Sequence, residues 1–241
     1  FYSMNNSVAT FMAHQFIPVI KFLESYTNRL LIADEVGLGK TIESMYIWEE
    51  LCTRSSSRRL LIVVPSVLSV KWKADLKQFF NIDAHIVSAQ NANRGETLLE
   101  HIKNTLNNPQ KESFVLIISL EGLRISTQVT DLLTEISEQN KVFDPVIMDE
   151  AHNMRNSGTK SFKTGVLLRD TSENMILLSA TPIQTGSDNF FNLLNLLSPE
   201  DFYNKNIFDM QLAENIPLVQ LTNAIDSNSP RKLIEEKLSE T

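Results

Sequence analysis

Short apolar runs rich in β-branched residues alternate along this chain with longer stretches in which apolar residues recur every three or four positions. A run without alternation suits a strand covered on both faces, and a 3.6-residue period suits a helix lying on such a sheet. The runs Leu30–Ala33, Leu60–Val64, Ala84–Val87, Phe114–Ser119, Val146–Asp149 and Met175–Leu178 are therefore predicted strands. Helices are predicted near residues 40–51, 66–80, 95–107, 127–139, 160–168 and 188–197, after a leading helix from about Val8 to Tyr26. In the segment 66–80, Leu68, Trp72, Leu76 and Phe79 are spaced to share one face, so Trp72 reads as a core residue. The alternation predicts an α/β fold with a mostly parallel sheet and helices on both faces. From about Asp201 the pattern changes. Pro217, the turn-like DSNSP at 226–230 and an amphipathic piece from Arg231 to Leu238 carry no strand signal. This part, residues 201–241, reads as a helical connector leaving a domain that spans 1–200.

Composition narrows the chemistry. One cysteine, Cys52, excludes an internal disulfide framework and a site built from several thiolates. The four histidines show no ligand spacing of the HExxH kind. No apolar run approaches the roughly 18 residues of a membrane span, and the start FYSMNNSV lacks the basic lead of a signal peptide, so no membrane partner is expected. Against 22 lysines and arginines stand 29 aspartates and glutamates, a net charge of −7, which excludes a generally basic nucleic-acid coat. Arg54, Arg58 and Arg59 form a local basic cluster, but they precede the strand at 60–64 and are read as a solvated loop at the sheet edge away from ligands.

Glycine is scarce, seven in all, yet Gly37 and Gly39 fall within LLIADEVGLGKTIES, directly after a predicted strand and directly before a predicted helix. A phosphate chain needs that arrangement. A loop without bulky side chains turns backbone N–H groups inward, and the positive end of the following helix faces the anion. Asp34, Glu35, Val36, Gly37, Leu38 and Gly39 would form the cradle, with Lys40 reaching the β- and γ-phosphates and the Thr41 hydroxyl ligating Mg²⁺. The strict GxxxxGK[ST] pattern fails at its first position, where Asp34 stands. In PVIMDEAHN, Asp149 and Glu150 sit at the end of an apolar strand. Adjacent carboxylates there repel without a use, whereas with a metal Asp149 holds Mg²⁺ and Glu150 orients and deprotonates the attacking water. ATP and Mg²⁺ are the cofactors these residues imply, and Lys40 and Glu150 the catalytic pair.

DEVGLGKT, DEAH and SATPIQ, in that order and on those elements, resemble helicase superfamily 2, specifically its SWI/SNF-type ATPases. An aspartate in place of the first phosphate-loop glycine is usual there. The resemblance covers about residues 8 to 203 and implies a RecA-like P-loop domain, the first of two lobes with ATP between them. It implies that Gln15, in the HQ pair, contacts the adenine. It implies that LIVVPSVLSVKWKADLKQF and VLIISLEGL touch a nucleic-acid backbone, which singles out Ser66, Lys71, Lys73 and Ser119. SATPIQTG is similar to the motif that links nucleotide state to nucleic-acid grip, through Ser179, Ala180 and Thr181, although Thr185 replaces a frequent asparagine. FFNLLNLLSPEDF matches the family's continuation. The wording DEVGLGKTIES, with HQ and ISLEGLR, is nearer the bacterial RNA-polymerase-recycling ATPases than the eukaryotic remodellers.

What the resemblance implies is the ATP-binding lobe of a motor that translocates on duplex DNA and remodels protein–DNA complexes, with a second lobe of the same protein and RNA polymerase or another DNA-bound complex as partners. The setting is the bacterial cytoplasm and nucleoid, or the nucleus in a eukaryote. Nothing after Ser187 is similar to the GRxxRxGQ core through which the second lobe supplies arginine fingers. The chain is therefore expected to bind Mg·ATP weakly and hydrolyse it barely or not at all. An RNA helicase lobe, a restriction-type motor lobe and a non-catalytic ATP-binding module remain alternatives. GLGKT followed by SATPIQ favours the SWI/SNF type, and the intact lysine and acidic pair argue against degeneracy. Arg155, Lys160 and Lys163 either line the nucleic-acid track or form a solvated loop.

Overall fold

The computed structural model of the protein describes residues 12–34, 37–91, 95–180 and 187–214. Among these residues six strands, β1 (Arg29–Ile32), β2 (Arg59–Val64), β3 (His85–Ile86), β4 (Phe114–Ser119), β5 (Val146–Met148) and β6 (Met175–Leu178), form one sheet in the order β1-β6-β5-β2-β4-β3. Every pairing is parallel, so all strand carboxyl ends lie at one edge. The alternation of side chains along each strand divides the interior in two. Leu60, Ile62, Val64, Ile117, Ile147 and Ile176 face one way, against α1 (Ile17–Glu24), α2 (Lys40–Ser55) and α3 (Ser69–Phe80). Leu61, Val63, Leu116, Ile118, Met148 and Leu177 face the other way, against α4 (Leu98–Asn107), α5 (Leu120–Ile125), α6 (Thr127–Ile136), α7 (Lys160–Asp170) and α8 (Ser187–Leu197). A parallel α/β sheet between helices is the architecture the hydrophobic pattern predicts, and it is the one observed.

Local chemistry sets the ends of these elements. Pro18 stands in the first turn of α1, where a missing N–H costs nothing. Thr97 and Glu100 exchange hydrogen bonds as a capping box and start α4 at Leu98, after Gly95 at φ +97°. The predicted helix at 95–107 therefore loses its first turn. Around the described start, a 3₁₀ turn over Ala13–Phe16 leads into α1, so the leading helix ends at Glu24 rather than Tyr26, and its predicted beginning lies outside the described residues. α5 is absent from the sequence reading. It is six residues long, follows β4 without a loop, and contains Gly122, so no helical period has room to show.

Two expectations about burial need correction. β3 is an exposed edge strand, and β1 is half-buried over Arg29–Leu31, because edge strands lack a neighbour on one side. Arg59 does not belong to a solvated loop. It opens β2, and its guanidinium bonds Asp144 Oδ2 through Nη2 at 2.9 Å and Nε at 3.2 Å, with side-chain exposures of 13% and 14%. Asp144 Oδ1 also accepts the Arg58 and Arg59 backbone N–H groups, so one carboxylate ties β2 to the approach to β5. Arg54 pairs with the buried Glu50 one helical turn back, and Arg58 is exposed.

The chain divides into two compact units, Phe1–Ser198 and Pro199–Thr241. Within the second, residues 205–214 are helical. There Lys205 pairs with Asp209, and the Phe202 and Phe208 rings meet edge to face with centroids 6.2 Å apart. The predicted features at Pro217, 226–230 and Arg231–Leu238 lie outside the described residues.

Candidate functional site

The parallel sheet brings the chemically singular residues to its carboxyl edge, where ligands of open α/β sheets collect. Three adjacent strands, β1, β6 and β5, end respectively at the glycine loop, at Ser179 and at the Asp149–Glu150 pair. Glu35 and Val36 of the loop, and Thr181 beyond Ala180, lie outside the described residues. Ala180 is partly exposed at the mouth of β6.

The loop is built from below by Gln15. This side chain is 4% exposed, and its Nε2 donates to the Leu38 carbonyl at 3.1 Å. Gly39 has φ +101°, and a Cβ there would lie 2.3 Å from Gln15 Nε2. Both the backbone sign and the close approach thus require glycine. Gly39 caps α2, so Lys40 and Thr41 open the helix with their N–H groups at its positive end. Lys40 Nζ donates to the Asp34 carbonyl at 2.7 Å, which holds the ammonium across the loop. Gln15 Oε1 is buried without a hydrogen-bond partner among the described residues.

Glu43, in the first turn of α2, is fully buried, with its carboxyl group facing the Asp34 side chain. Burial, first, and then the charge of Asp34 push its pKa up to about 8, with Lys40 opposing. At neutral pH the group is mostly protonated, so it adds little negative charge beneath a site suited to anions. The sequence reading missed it. Its signal was a carboxylate on the same helix face as Ile47 and Glu50, where the period calls for apolar side chains.

On β5's side, Asp149 continues the strand pairing through its N–H to the Val63 carbonyl at 2.9 Å. Its Oδ1 accepts the Glu150 N–H at 2.8 Å, and its Oδ2 accepts Trp72 Nε1–H at 2.8 Å. Glu150 stands at φ +50°, a strained conformation for a residue with a Cβ, of the kind that gathers at functional sites. Its Oε2 lies 3.0 Å from His152 Nδ1, at angles short of a hydrogen bond. Ser179 Oγ is fully buried at the end of β6 and has no hydrogen-bond partner among the described residues. Trp72 is 2% exposed, in agreement with the core reading, but its indole N–H reaches the acidic pair, which spacing alone did not reveal.

The same edge continues over β2 and β4. Ser66 is exposed after β2, and Lys71 and Lys73 are exposed on α3. Ser119, at the end of β4, accepts the Gly122 N–H at 3.1 Å as the cap of α5. A cleft of about 370 Å³ runs between Ser66, Ser69, Ser88 and Ser119, with Ile86 on its wall. The Ser66 N–H is taken by Glu121 Oε2 at 3.1 Å. The predicted nucleotide group and the predicted nucleic-acid group are thus side by side on one edge, split at the β5–β2 boundary.

The residues present suit a magnesium nucleotide. Among the described residues no three His, Cys, Asp or Glu side chains gather to hold a metal by themselves. A hydroxyl and a single carboxylate are the donor set of an Mg²⁺ that keeps most of its waters and binds phosphate oxygens. The glycine cradle fits the phosphate chain of the same ligand, and Gln15 Oε1 its base.

Comparison with known proteins finds relatives of one family over most of this chain. The model of the SNF2-related domain matches residues 14–237. The RNA polymerase-associated protein RapA of Photobacterium profundum is 30% identical over 241 residues, which cover 96% of this chain and 24% of the relative. The uncharacterized ATP-dependent helicase YqhH of Bacillus subtilis is 29% identical over 204 residues, covering 84% of this chain and 32% of the relative. Of these relatives, then, the chain spans about a quarter to a third of the length. Among solved structures, the Sulfolobus solfataricus SWI2/SNF2 ATPase core in complex with dsDNA aligns with a TM-score of 0.62 at 18% identity, over 98% of this chain and 43% of that one.

Proposed function

Since the chain belongs to the SNF2-related domain family of helicase-like ATPases, we propose that it is the ATP-binding lobe of a nucleic-acid-dependent motor that moves on duplex DNA and displaces or remodels protein bound there. The observation that carries this reading is the single sheet edge on which a glycine cradle ending at Lys40 and the pair Asp149 and Glu150 stand with only β6 between their strands. The neighbouring Ser66–Ser119 cleft supplies the place for a backbone.

In this reading Lys40 exchanges the Asp34 carbonyl for the β- and γ-phosphates, and the N–H groups opening α2 receive phosphate oxygens. Gln15 Oε1 accepts the adenine amino group while Nε2 keeps the loop in place. Thr41 and Asp149 would hold hydrated Mg²⁺, which when bound would neutralise phosphate charge. Glu150 orients the attacking water and accepts its proton. Ser179 and Ala180 carry the state of the nucleotide toward the nucleic-acid side.

Duplex DNA as track is supported by the Sulfolobus core solved with it, and RNA polymerase as target by the name of the RapA relatives. A second lobe is part of the proposal, because an arginine finger is worth about 10³–10⁵ in rate. The test is ATP turnover by residues 1–241 and by the full-length protein, with duplex DNA, with RNA, and with neither, beside Lys40→Ala. We expect Mg·ATP binding with little turnover by the 241 residues, and DNA-stimulated turnover by the full-length protein that Lys40→Ala abolishes. Stimulation by RNA alone would overturn the track, and turnover that survives Lys40→Ala would overturn the site.

A further inference from the structure

Trp72 stands between the two groups on the sheet edge. It belongs to α3, the helix that follows the turn after β2; Val67 in that turn and Val70 at the start of α3 are 84% and 73% exposed. Its ring is buried, with Leu76 and Phe80 on the same helix face against the sheet. Its N–H does not turn back to a carbonyl of its own surroundings. It crosses to β5 and ends on Asp149 Oδ2 at 2.8 Å.

That choice of partner has consequences. An indole offers one donor and no acceptor, so the bond can run only one way. A bond from N–H to a carboxylate is charge-assisted and directional, so it selects one rotamer of Asp149. The backbone N–H of Glu150 holds the other oxygen. With Oδ1 and Oδ2 each fixed by one donor, the remaining lone pairs point in directions set by α3 and by the Glu150 turn, not by solvent. Groups that orient a metal-binding carboxylate commonly matter about as much as the ligand itself.

We propose that Trp72 is a positioning residue: its indole N–H orients the Asp149 carboxylate for hydrated Mg²⁺ and ties that orientation to α3, the helix that borders the Ser66–Ser119 cleft. This rests on the reading of Asp149 as the magnesium-holding acid. Because coupling between sites is reciprocal, the same bond makes the placement of α3 sensitive to what Asp149 holds.

Trp72→Phe keeps the buried ring and removes only the N–H. Binding of a fluorescent ATP analogue is measured in EDTA and in Mn²⁺ for the wild type, Trp72→Phe, Asp149→Asn and the double variant. The expected result is unchanged affinity in EDTA, and a loss of about tenfold in the Mn²⁺-dependent gain for Trp72→Phe. Asp149→Asn should abolish that gain, with nothing further lost in the double variant. An Mn²⁺-dependent gain that Trp72→Phe leaves intact while Asp149→Asn removes it overturns the positioning role alone. A gain that Asp149→Asn leaves intact overturns the reading of Asp149 beneath it. If Trp72→Phe does not fold, the indole N–H resonances decide instead. The chain has two tryptophans, and Trp48→Phe assigns the signal of Trp72. Asp149→Asn should shift that signal, and an unmoved resonance overturns the proposal.

Discussion

Gly39 concentrates two constraints that are usually separate. Its φ of +101° lies where a Cβ strains the backbone, and the space a Cβ would need is already filled by the Gln15 amide. Such a conformation costs on the order of 1–3 kcal/mol for a residue other than glycine. Gly39→Ala is expected to lower stability by about that amount and to displace Gln15 from the Leu38 carbonyl, weakening nucleotide binding even in EDTA. Thermal unfolding and a nucleotide titration check the two effects separately, and intact binding by a destabilised variant would show that Gln15 does not shape the cradle. Gly37 was equally conspicuous in the sequence, but a Cβ there meets open space, so only its φ of +92° calls for glycine. The sequence names both glycines alike; a distance separates them.

α2 shows what one helix can carry. Its first turn belongs to the loop and Lys40, while its last turns bury Glu50 against Arg54 and enclose the Cys52 thiol, whose pKa burial pushes up to about 12. Glu49 lies between them. Burial, and then the neighbouring charge of Glu50, raise its pKa to about 7, with Oε2 buried and unpartnered. The native state therefore binds the proton more tightly than the unfolded chain does, and the stability this confers is present in acid and lost as pH rises from about 4.5 to 7. Glu49→Gln removes the ionisation. Its stability relative to wild type should rise between pH 5 and pH 8 by about 2–3 kcal/mol, one pKa unit being about 1.4 kcal/mol. Parallel melts at the two pH values check this, and an unchanged difference would mean that Glu49 titrates normally. None of this was legible in sequence. A glutamate in a helix reads as a solvated charge until the neighbouring elements are placed around it.

At the scale of the molecule, a net charge of −7 coexists with a proposed nucleic-acid edge. Backbone affinity comes from local phosphate contacts rather than from the total charge. The described candidates are few: Lys71 and Lys73 are exposed, Ser119 is engaged in a helix cap, and the Ser66 N–H is taken by Glu121. Residues 1–241 should therefore bind duplex DNA no more tightly than about micromolar at physiological salt, as non-specific contacts do. Fluorescence anisotropy across a salt series measures this, and nanomolar affinity would show a larger basic surface than these residues make. Glu121→Ala frees the Ser66 amide in the same assay.

The pattern of apolar residues by itself determined the parallel α/β fold, because strands buried on both faces and helices covering them leave different periods in a chain. It also determined where Gly39, Lys40, Asp149 and Glu150 would collect, since a loop after a strand of a parallel sheet has only one edge on which to open. Tertiary structure alone decided which partners those residues meet. Trp72 and Asp149 are 77 positions apart, Arg59 and Asp144 are 85 apart, and no local period encodes a hydrogen bond across strands. The direction of an indole N–H, the burial of Glu43 and the side of the sheet on which Arg59 finds its carboxylate depend on strand order. Strand order is fixed by packing of the whole sheet, not by any segment of it.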